Sequence, residues 1–343
     1  MRIVCAAAVG ALVLCLSACT PRPSEGAADA PRSGTPPLAL TETIQLPQIT
    51  GGVNHLAVDA DKKRVFVTST RDAELVVVDV AGKQVIHRLK GASPAAAEFA
   101  PDARQLIVSR GKQVVFYDGD TFELLGAVDL DGRIDELHYD AKTQRLYAGC
   151  MDAGKTAIAI VDGRTRTRIG EVKLPGRPQG FQIDSASARV YANCPSERAV
   201  IVGNLEKQTA VDRWTLGELA GNYPMALDEK AHRLFVGCRN PAKLVVLDTQ
   251  NGKRIAAVDI TTDADDMAYD ALGHRVYVFG GEGTISVIRQ ADADTYEPLA
   301  SVKTTGGARN GAWSPGLLSL FVAAPARDSQ KAELLVYKVS ETK

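Results

Sequence analysis

Two pairs of adjacent acidic residues, Asp135-Glu136 and Asp265-Asp266, are the groups in this sequence with the clearest potential for chemistry. Each pair stands near the start of a short β-prone segment, five and four positions before the Asp that ends it, and His55 occupies the corresponding place in a third such segment. Carboxylates that are held close together repel one another, and a bound cation relieves that repulsion. A fold that brings these residues together would create a cation site with a nitrogen donor beside it.

These residues belong to an internal repeat that recurs seven times. A short apolar run ends in Asp, or in a residue that replaces it, at positions 59, 100, 140, 184, 228, 270 and 314. A polar turn and two further apolar runs follow, as in RLFVGC at 233–238 and KLVVLD at 243–248. Four short β-prone segments every ~40–45 residues are typical of a propeller blade. The sequence therefore predicts an all-β, seven-bladed β-propeller of four-stranded blades.

The seventh repeat lacks its fourth strand, because its third apolar run ends near Tyr337. The β-prone segment TETIQLPQIT at 41–50 precedes the first complete repeat and can supply the missing strand. Closure of the ring removes two unpaired strand edges and creates the contact between the first and last blades. We therefore expect residues 41–343 to form one propeller, closed by an N-terminal strand that completes the last blade.

The repeat also predicts which residues surround the mouth of the central channel. The first strand of each blade lines that channel, so the residues five and four positions before each aligned Asp should ring its mouth. The polar members of this predicted ring are Asn54, His55, Asp135, Glu136, Asp265, Asp266, Arg309 and Asn310. Blades 2, 4 and 5 contribute mostly small or apolar residues there, so the ring is uneven, as a directed ligand site requires.

Several kinds of function are compatible with this ring. Glu136, Asp266 and His55 could hold a divalent cation such as Ca²⁺ or Mg²⁺, with the amide oxygens of Asn54 and Asn310 nearby. The same ring would suit a cationic small molecule, or a metal-assisted hydrolase with an activated water. The alternative is that these polar side chains are merely solvated.

The repeat resembles that of the YVTN-type seven-bladed propellers, which include the YncE-like bacterial proteins. The resemblance covers residues 41–343 and rests on the Asp-ended strand, RLYAGC at 145–150, KLVVLD at 243–248 and GKRIAAV at 252–258. It implies the fold, but such scaffolds host binding proteins, lactonases and redox modules. The lactonases place Glu, Asn and Asp around an ion, usually on six blades, so the resemblance leaves the activity open.

The first 18 residues have the pattern of a secretory signal peptide. Arg2 supplies positive charge, and the apolar stretch 3–16 is too short to span a bilayer as a stable helix. The sequence Leu16-Ser17-Ala18-Cys19 resembles the lipobox of bacterial lipoproteins, which implies cleavage before Cys19 and acylation of its thiol. We therefore expect a lipid anchor on Cys19, the protein's link to a membrane.

The resemblance to lipoproteins also implies a location. Thr20 follows the cysteine, where Asp would favour retention in the inner membrane, so the expectation is the outer membrane of a Gram-negative envelope, facing the periplasm. Residues 19–40 are rich in Pro, Ser, Ala and Gly and are predicted to be a flexible tether.

The amino-acid composition limits the kinds of partner that we expect. The chain carries 40 basic and 41 acidic residues without a run of like charge, which does not favour nucleic acid as a partner. We expect a monomer that binds another envelope protein or a small molecule. No G-x-S-x-G, H-E-x-x-H or C-x-x-C-H motif occurs, so the sequence favours a binding scaffold over an enzyme.

Three cysteines of the propeller occupy one equivalent position. Cys150, Cys194 and Cys238 are separated by 44 residues each, which places them on the second strands of blades 3, 4 and 5. Such positions should lie ~10 Å apart, beyond the ~7 Å limit for a disulfide. We expect buried thiols that fill the same slot in each blade.

Overall fold

A computed structural model describes residues 36–91 and 93–340, together with Met1. The predicted signal peptide, Cys19 and most of the tether lie outside the described residues. The described chain forms seven four-stranded antiparallel sheets, each of them one blade of a propeller ring. The all-β, seven-bladed fold predicted from the sequence is confirmed.

Each blade takes four consecutive strands, except the last. Blade 1 consists of β2 (Val53–Asp59), β3 (Arg64–Ser69), β4 (Glu74–Asp79) and β5 (Gln84–Lys90). Blade 2 consists of β6 (Ala97–Ala100), β7 (Gln105–Arg110), β8 (Gln113–Asp118) and β9 (Leu124–Asp129). Blade 3 consists of β10 (Ile134–Asp140), β11 (Arg145–Cys150), β12 (Ala157–Asp162) and β13 (Thr167–Lys173).

Blades 4 to 6 follow the same order. Blade 4 consists of β14 (Phe181–Asp184), β15 (Arg189–Cys194), β16 (Ala199–Asn204) and β17 (Thr209–Thr215). Blade 5 consists of β18 (Ala220–Asp228), β19 (Arg233–Asn240), β20 (Ala242–Asp248) and β21 (Arg254–Asp259). Blade 6 consists of β22 (Ala264–Asp270), β23 (Arg275–Gly280), β24 (Thr284–Gln290) and β25 (Tyr296–Lys303). Two short 3-10 helices, Pro195–Glu197 and Pro315–Leu317, are the helical elements of the described residues.

Blade 7 joins the two ends of the chain. It contains β26 (Asn310–Ser314), β27 (Ser319–Ala324), β28 (Glu333–Val339) and, as its outer strand, β1 (Leu38–Gln45). The two terminal strands are antiparallel, with Leu38 opposite Val339 and Gln45 opposite Glu333. The predicted closing strand is therefore present, but it begins at Leu38, three residues before the expected start of the propeller at 41. Ala39 and Leu40, assigned to the tether, are part of the sheet.

The burial of each strand explains the apolar runs of the repeat. The second strand is buried at nearly every position, as in β3 and β27, because a blade packs against a neighbour on each of its two faces. The outer strands β5 and β13 consist mostly of exposed and half-buried positions. Hydrophobicity therefore marks the two middle strands of each blade most strongly.

Packing between blades supplies the core. The buried apolar side chains form seven clusters, and each cluster combines residues of two adjacent blades. The cluster between blades 7 and 1 joins Phe321 and Val336 to Val65 and Val76, and Ile44 of the closing strand packs within it. Ring closure thus completes the seventh interface as well as the seventh sheet.

The recurrent Asp at the end of the first strand shapes the hairpin that follows it. Asp59 Oδ1 accepts a hydrogen bond from the backbone N–H of Lys62, and the side chain fixes the turn in this way. The same contact recurs at Asp140, Asp184, Asp228 and Asp270. The Asp of the repeat is therefore a turn residue and takes no part in the channel mouth.

The connections divide the propeller into two faces. The hairpins between first and second strands, together with Pro36 and Ser340 at the ends of the described propeller, lie on one face, which we call the lower face. The loops that enter each first strand, and those between second and third strands, lie on the opposite, upper face. Val339 N–H donates to Leu318 O at 3.1 Å, which ties the end of β28 to a lower-face hairpin. The channel mouth therefore faces away from Pro36 and Ser340.

The closing strand offers a direct test of closure. Ile44 is 1% exposed in the cluster between blades 7 and 1, whereas Leu40 on the same strand is 52% exposed. We expect Ile44→Ala to lower the free energy of unfolding by about 2–5 kcal/mol, because it leaves a cavity in that interface. Leu40→Ala should change it by no more than about 0.5 kcal/mol. Urea unfolding of both variants checks this, and equal losses would contradict it.

Candidate functional site

β-bulges place the predicted mouth residues. In blade 1, Asn54 and His55 together lie opposite one residue of β3, and in blade 3 Asp135 and Glu136 lie opposite one residue of β11. The first strand of blade 6 shifts register at Asp265. A bulge bends its strand and redirects the side chains at that point. The bulges therefore lie at the mouth positions that the repeat alignment singled out.

The mouth is a small polar cavity of about 230 Å³. Six of the eight predicted residues line it: Asn54, His55, Asp135, Glu136, Asp265 and Arg309. Asp266 and Asn310 do not line the cavity, and Asn310 is only 2% exposed. Its side-chain amide donates to Asp265 and Asp266, at 3.3 Å in each case. These two predicted residues contact residues that line the cavity, but they do not line it themselves.

His55 is held by a carboxylate of another blade. Its Nδ1 lies 2.8 Å from Asp266 Oδ1, and Asp266 also accepts a hydrogen bond from the backbone N–H of Gly311. Burial lowers the pKa of His55, but Asp266, with smaller contributions from Glu136 and Asp265, outweighs it and holds the pKa well above its usual value. Blades 1 and 6 are therefore joined at the mouth by an imidazolium–carboxylate pair.

Asp265 lies between two guanidinium groups. Its carboxylate is 2.6 Å from Arg239 Nη2 and 3.3 Å from Arg309 Nε. Arg309 also pairs with Asp263 at 3.0 Å, and the guanidinium of Arg239 lies 3.8 Å from the centre of the Tyr223 ring. Burial raises the pKa of Asp265, followed by repulsion from Asp266, and both arginines oppose this shift. The opposite charges of these arginines and aspartates, which belong to blades 5, 6 and 7, thus neutralise one another.

The acidic pair of blade 3 is in a different situation. Within the part of the chain that the structure describes, neither Asp135 nor Glu136 lies within 4.0 Å of a cationic side chain. Burial raises the pKa of Glu136 well above its usual value; His55 opposes this, and Asp266 and Asp135 add to it by repulsion. The mouth therefore carries carboxyl groups of one blade that no cationic side chain at positions 36–91 or 93–340 pairs with.

The donor set does not fit the predicted Ca²⁺ or Mg²⁺ ion. Among residues 36–91 and 93–340, no group of three or more His, Cys, Asp or Glu side chains is arranged to hold a metal. Of the proposed ligands, the Nδ1 of His55 and the carboxylate of Asp266 already bind each other. Asp265 is engaged by arginines in the same way. The charge of blade 6 is relieved by cations of the protein itself.

Two important residues of this site escaped the sequence analysis. Arg239 is the penultimate residue of β19, the second strand of blade 5, and Asp263 precedes the first strand of blade 6. The register of the first strands alone could not show how far a long Arg side chain reaches.

Below the mouth, three consecutive blades place polar side chains in the channel. Glu98, His138 and Gln182 occupy equivalent positions on the first strands of blades 2, 3 and 4. Burial raises the pKa of Glu98 to about 8, although backbone N–H groups and His55 oppose the shift. Burial lowers the pKa of His138. The channel therefore favours the neutral forms of both groups.

The cysteines are buried and free, as expected from their spacing. Burial raises the pKa of the Cys150 thiol to about 11 and those of Cys194 and Cys238 to about 12. A thiol that stays protonated is a poor nucleophile and metal ligand. These three side chains fill equivalent core positions and do not contribute to the mouth.

Comparisons with known proteins support the fold. No protein-family model matches the chain, and no curated protein matches it, so the likeness to YVTN-type propellers stays a prediction. A structure of hydrazine synthase from Kuenenia stuttgartiensis is similar, with a TM-score of 0.74 and 14% identity over 87% of this chain and 98% of that chain.

A chain in the crystal structure of a mitotic checkpoint complex is also similar. It has a TM-score of 0.76 and 16% identity, over 97% of this chain and 100% of that chain. At such identities the likeness shows the fold alone.

The buried Glu98 makes stability depend on pH. The folded protein keeps the Glu98 proton up to a pH of about 8, whereas the unfolded chain loses it near 4.5. The contribution of Glu98 to stability should therefore be fully present below a pH of about 4.5 and fall by up to about 1.4 kcal/mol per pH unit as the pH rises toward about 8. Glu98→Gln should reduce that slope, as measured by urea unfolding at several pH values.

A matched control is Gln182→Ala, which alters the equivalent position in blade 4 without removing a titratable group. This variant should keep the pH slope of the original protein. An unchanged slope in Glu98→Gln would show that Glu98 does not retain its proton.

Proposed function

We propose that this protein is a lipid-anchored envelope scaffold whose channel mouth binds a basic side chain of a partner protein. The observation that carries the proposal is the contrast between the blades. Asp265 and Asp266 are paired with arginines and a histidine, whereas no cationic side chain among the described residues pairs with Asp135 or Glu136, which line the same cavity as Asp265. A positive group supplied from outside would complete the charge balance.

The size and shape of the cavity support one side chain as the occupant. A volume of about 230 Å³ is smaller than the ~300–1,000 Å³ of ordinary small-molecule pockets. The cavity opens on the upper face, where a partner has access to the loops of all seven blades. Tyr223, an aromatic residue of the kind enriched at interfaces, stands at its wall and holds Arg239 in place.

The paired arginines also favour a cationic occupant over an anionic one. Arg239 and Arg309 are both engaged by carboxylates, so an anion would have to displace Asp265 or Asp263. A cation meets no such competition at Asp135 and Glu136. It would also stabilise the ionised form of Glu136, so binding should release a proton and strengthen as the pH rises.

The anchor part of the proposal rests on sequence and on the position of the first strand. Leu16-Ser17-Ala18-Cys19 has the lipobox pattern, and the described chain begins at Pro36 on the lower face. Among the described residues, no helix is long and apolar enough to cross a membrane. An acylated Cys19, in the outer membrane of a Gram-negative bacterium, would leave the channel mouth free for a partner.

The metal-assisted hydrolase considered from the sequence has no comparable support. Its carboxylates and histidine would need to share an ion, yet His55 and Asp266 bind each other in the described structure. A binding role explains why the carboxylates of blade 6 are paired with cationic side chains, whereas those of blade 3 have no such partner among the described residues.

Short peptides test the mouth directly. We expect Gly-Lys-Gly and Gly-Arg-Gly to bind with millimolar affinity and to shift the imidazole NMR signals of His55, which lines the same cavity. Asp135→Asn together with Glu136→Gln should weaken this binding about tenfold or more, because a charge-assisted contact contributes about 1.5–3 kcal/mol. Affinity should rise from pH 6 to pH 8.

The control variant is Asp131→Asn, which removes an exposed carboxylate of blade 3 that pairs with Arg168 outside the mouth. It should leave peptide binding unchanged. Stronger binding of Gly-Glu-Gly than of the basic peptides, or equal binding to the double variant, would contradict the proposal.

The anchor has its own test. Cys19→Ser should abolish incorporation of labelled palmitate and release the protein into the soluble envelope fraction, because the acyl chains supply the membrane affinity. Cys15→Ser lies within the apolar stretch and leaves Leu16-Ser17-Ala18-Cys19 intact, so it should keep both label and membrane location. An unlabelled original protein in the soluble fraction would refute the anchor.

A further inference from the structure

The lower face carries an apolar patch at blades 6 and 7. Leu272 is 75% exposed and Leu318 is 39% exposed, and both line a cavity of about 320 Å³ together with Trp313 and Val339. Large apolar side chains clustered on a surface usually mark an interaction site, whereas single ones need no explanation. We call these four residues the apolar patch.

The internal repeat shows that the fold itself does not require these leucines. Leu272 occupies the tip of the first hairpin, and the corresponding residues in the other six blades are polar or small: Asp61, Asp102, Lys142, Ala186, Lys230 and Gly316. Leu318 occupies the last residue of that hairpin, where the other blades have Lys63, Arg104, Gln144, Ala188, His232 and His274. At these two hairpin positions, a leucine therefore occurs in blades 6 and 7 and in no other blade.

Backbone geometry strengthens this comparison for Leu318. All seven residues at its position are left-handed, and Leu318 has a φ of 47°. Polar residues such as Asn and Asp tolerate this conformation better than bulky apolar ones. The leucine therefore occurs where backbone preference opposes it and solvent surrounds it.

The patch adjoins the point where the N-terminal segment joins the propeller. Ser340 lines the same cavity, and its backbone N–H donates to Pro37 O at 3.1 Å. The chain that precedes Pro36 therefore enters beside the patch. The 17 residues from Cys19 to Thr35 can span at most ~60 Å when fully extended.

We infer that the apolar patch contacts the surface of the bilayer, with Leu272 and Leu318 entering its interfacial region. This inference rests on the proposed anchor at Cys19. An anchored chain this short keeps the lower face close to the membrane, so even a small patch encounters lipid at high effective concentration. Trp313 suits this place, because indole rings favour the membrane interface. The channel mouth would then face away from the bilayer, toward a partner.

The fluorescence of Trp313 tests the contact. The chain has two tryptophans, and Trp214→Phe leaves Trp313 as the only one. The complete lipidated protein with this change is reconstituted into phosphatidylcholine vesicles whose acyl chains carry bromine, a quencher of tryptophan emission. We expect loss of Trp313 emission relative to unbrominated vesicles, and recovery when Leu272→Asp and Leu318→Asn are combined.

Two controls make the result specific. Leu318→Asn suits the left-handed backbone, so this change should not disturb folding. Val211→Asp introduces a charge at a 52% exposed position on β17, the outer strand of blade 4, and should leave the quenching unchanged.

Flotation of the same vesicles separates the two proposals. Protein that floats with the vesicles but shows no quenching, or equal quenching in the double variant, overturns the patch and leaves the anchor intact. Protein that does not float refutes the anchor and the patch together.

Discussion

Each blade of this protein buries both faces of its middle strands, so every blade depends on a neighbour on either side. Seven such interfaces exist only if the ring closes, and the pairing of β1 with β28 closes it. The interface between blades 7 and 1 then receives a core cluster like the others. This constraint explains why the N-terminal strand belongs to the last blade.

Closure also determines the arrangement of the functional surfaces. The first and last described residues of the propeller, Pro36 and Ser340, lie on the lower face beside the apolar patch, whereas the polar mouth opens on the upper face. At that mouth, side chains from distant parts of the sequence approach within hydrogen-bonding distance, as His55 and Asp266 do. An anchored propeller of this design would present its mouth to a partner on the side away from the membrane.

The sequence predicted the fold well because propeller repeats carry local signals. The alignment on the recurrent Asp gave the blade number, the closing strand and six of the residues that line the mouth. It missed Arg239, whose long side chain reaches Asp265 from the end of β19, and it placed Asp266 and Asn310 in the cavity although neither residue lines it.

The sequence could not show which carboxylates of the mouth are paired with cationic side chains, and the reason is physical. Whether a carboxylate is paired depends on distances of a few ångströms between residues of different blades, and the repeat register fixes only which blade end they occupy. The sequence treated the two acidic pairs as equivalent, but arginines and a histidine neutralise the pair on blade 6. The pair on blade 3 has no such partner among the described residues.

The most direct test of this account is a ¹³C NMR titration of the Glu136 carboxyl group, assigned by comparison with Glu136→Gln. The account predicts a pKa well above the usual glutamate value in the free protein, and a fall in that pKa when Gly-Lys-Gly is added. A Glu136 carboxyl that titrates at its ordinary value, with or without the peptide, would contradict the claim that the mouth awaits a cation.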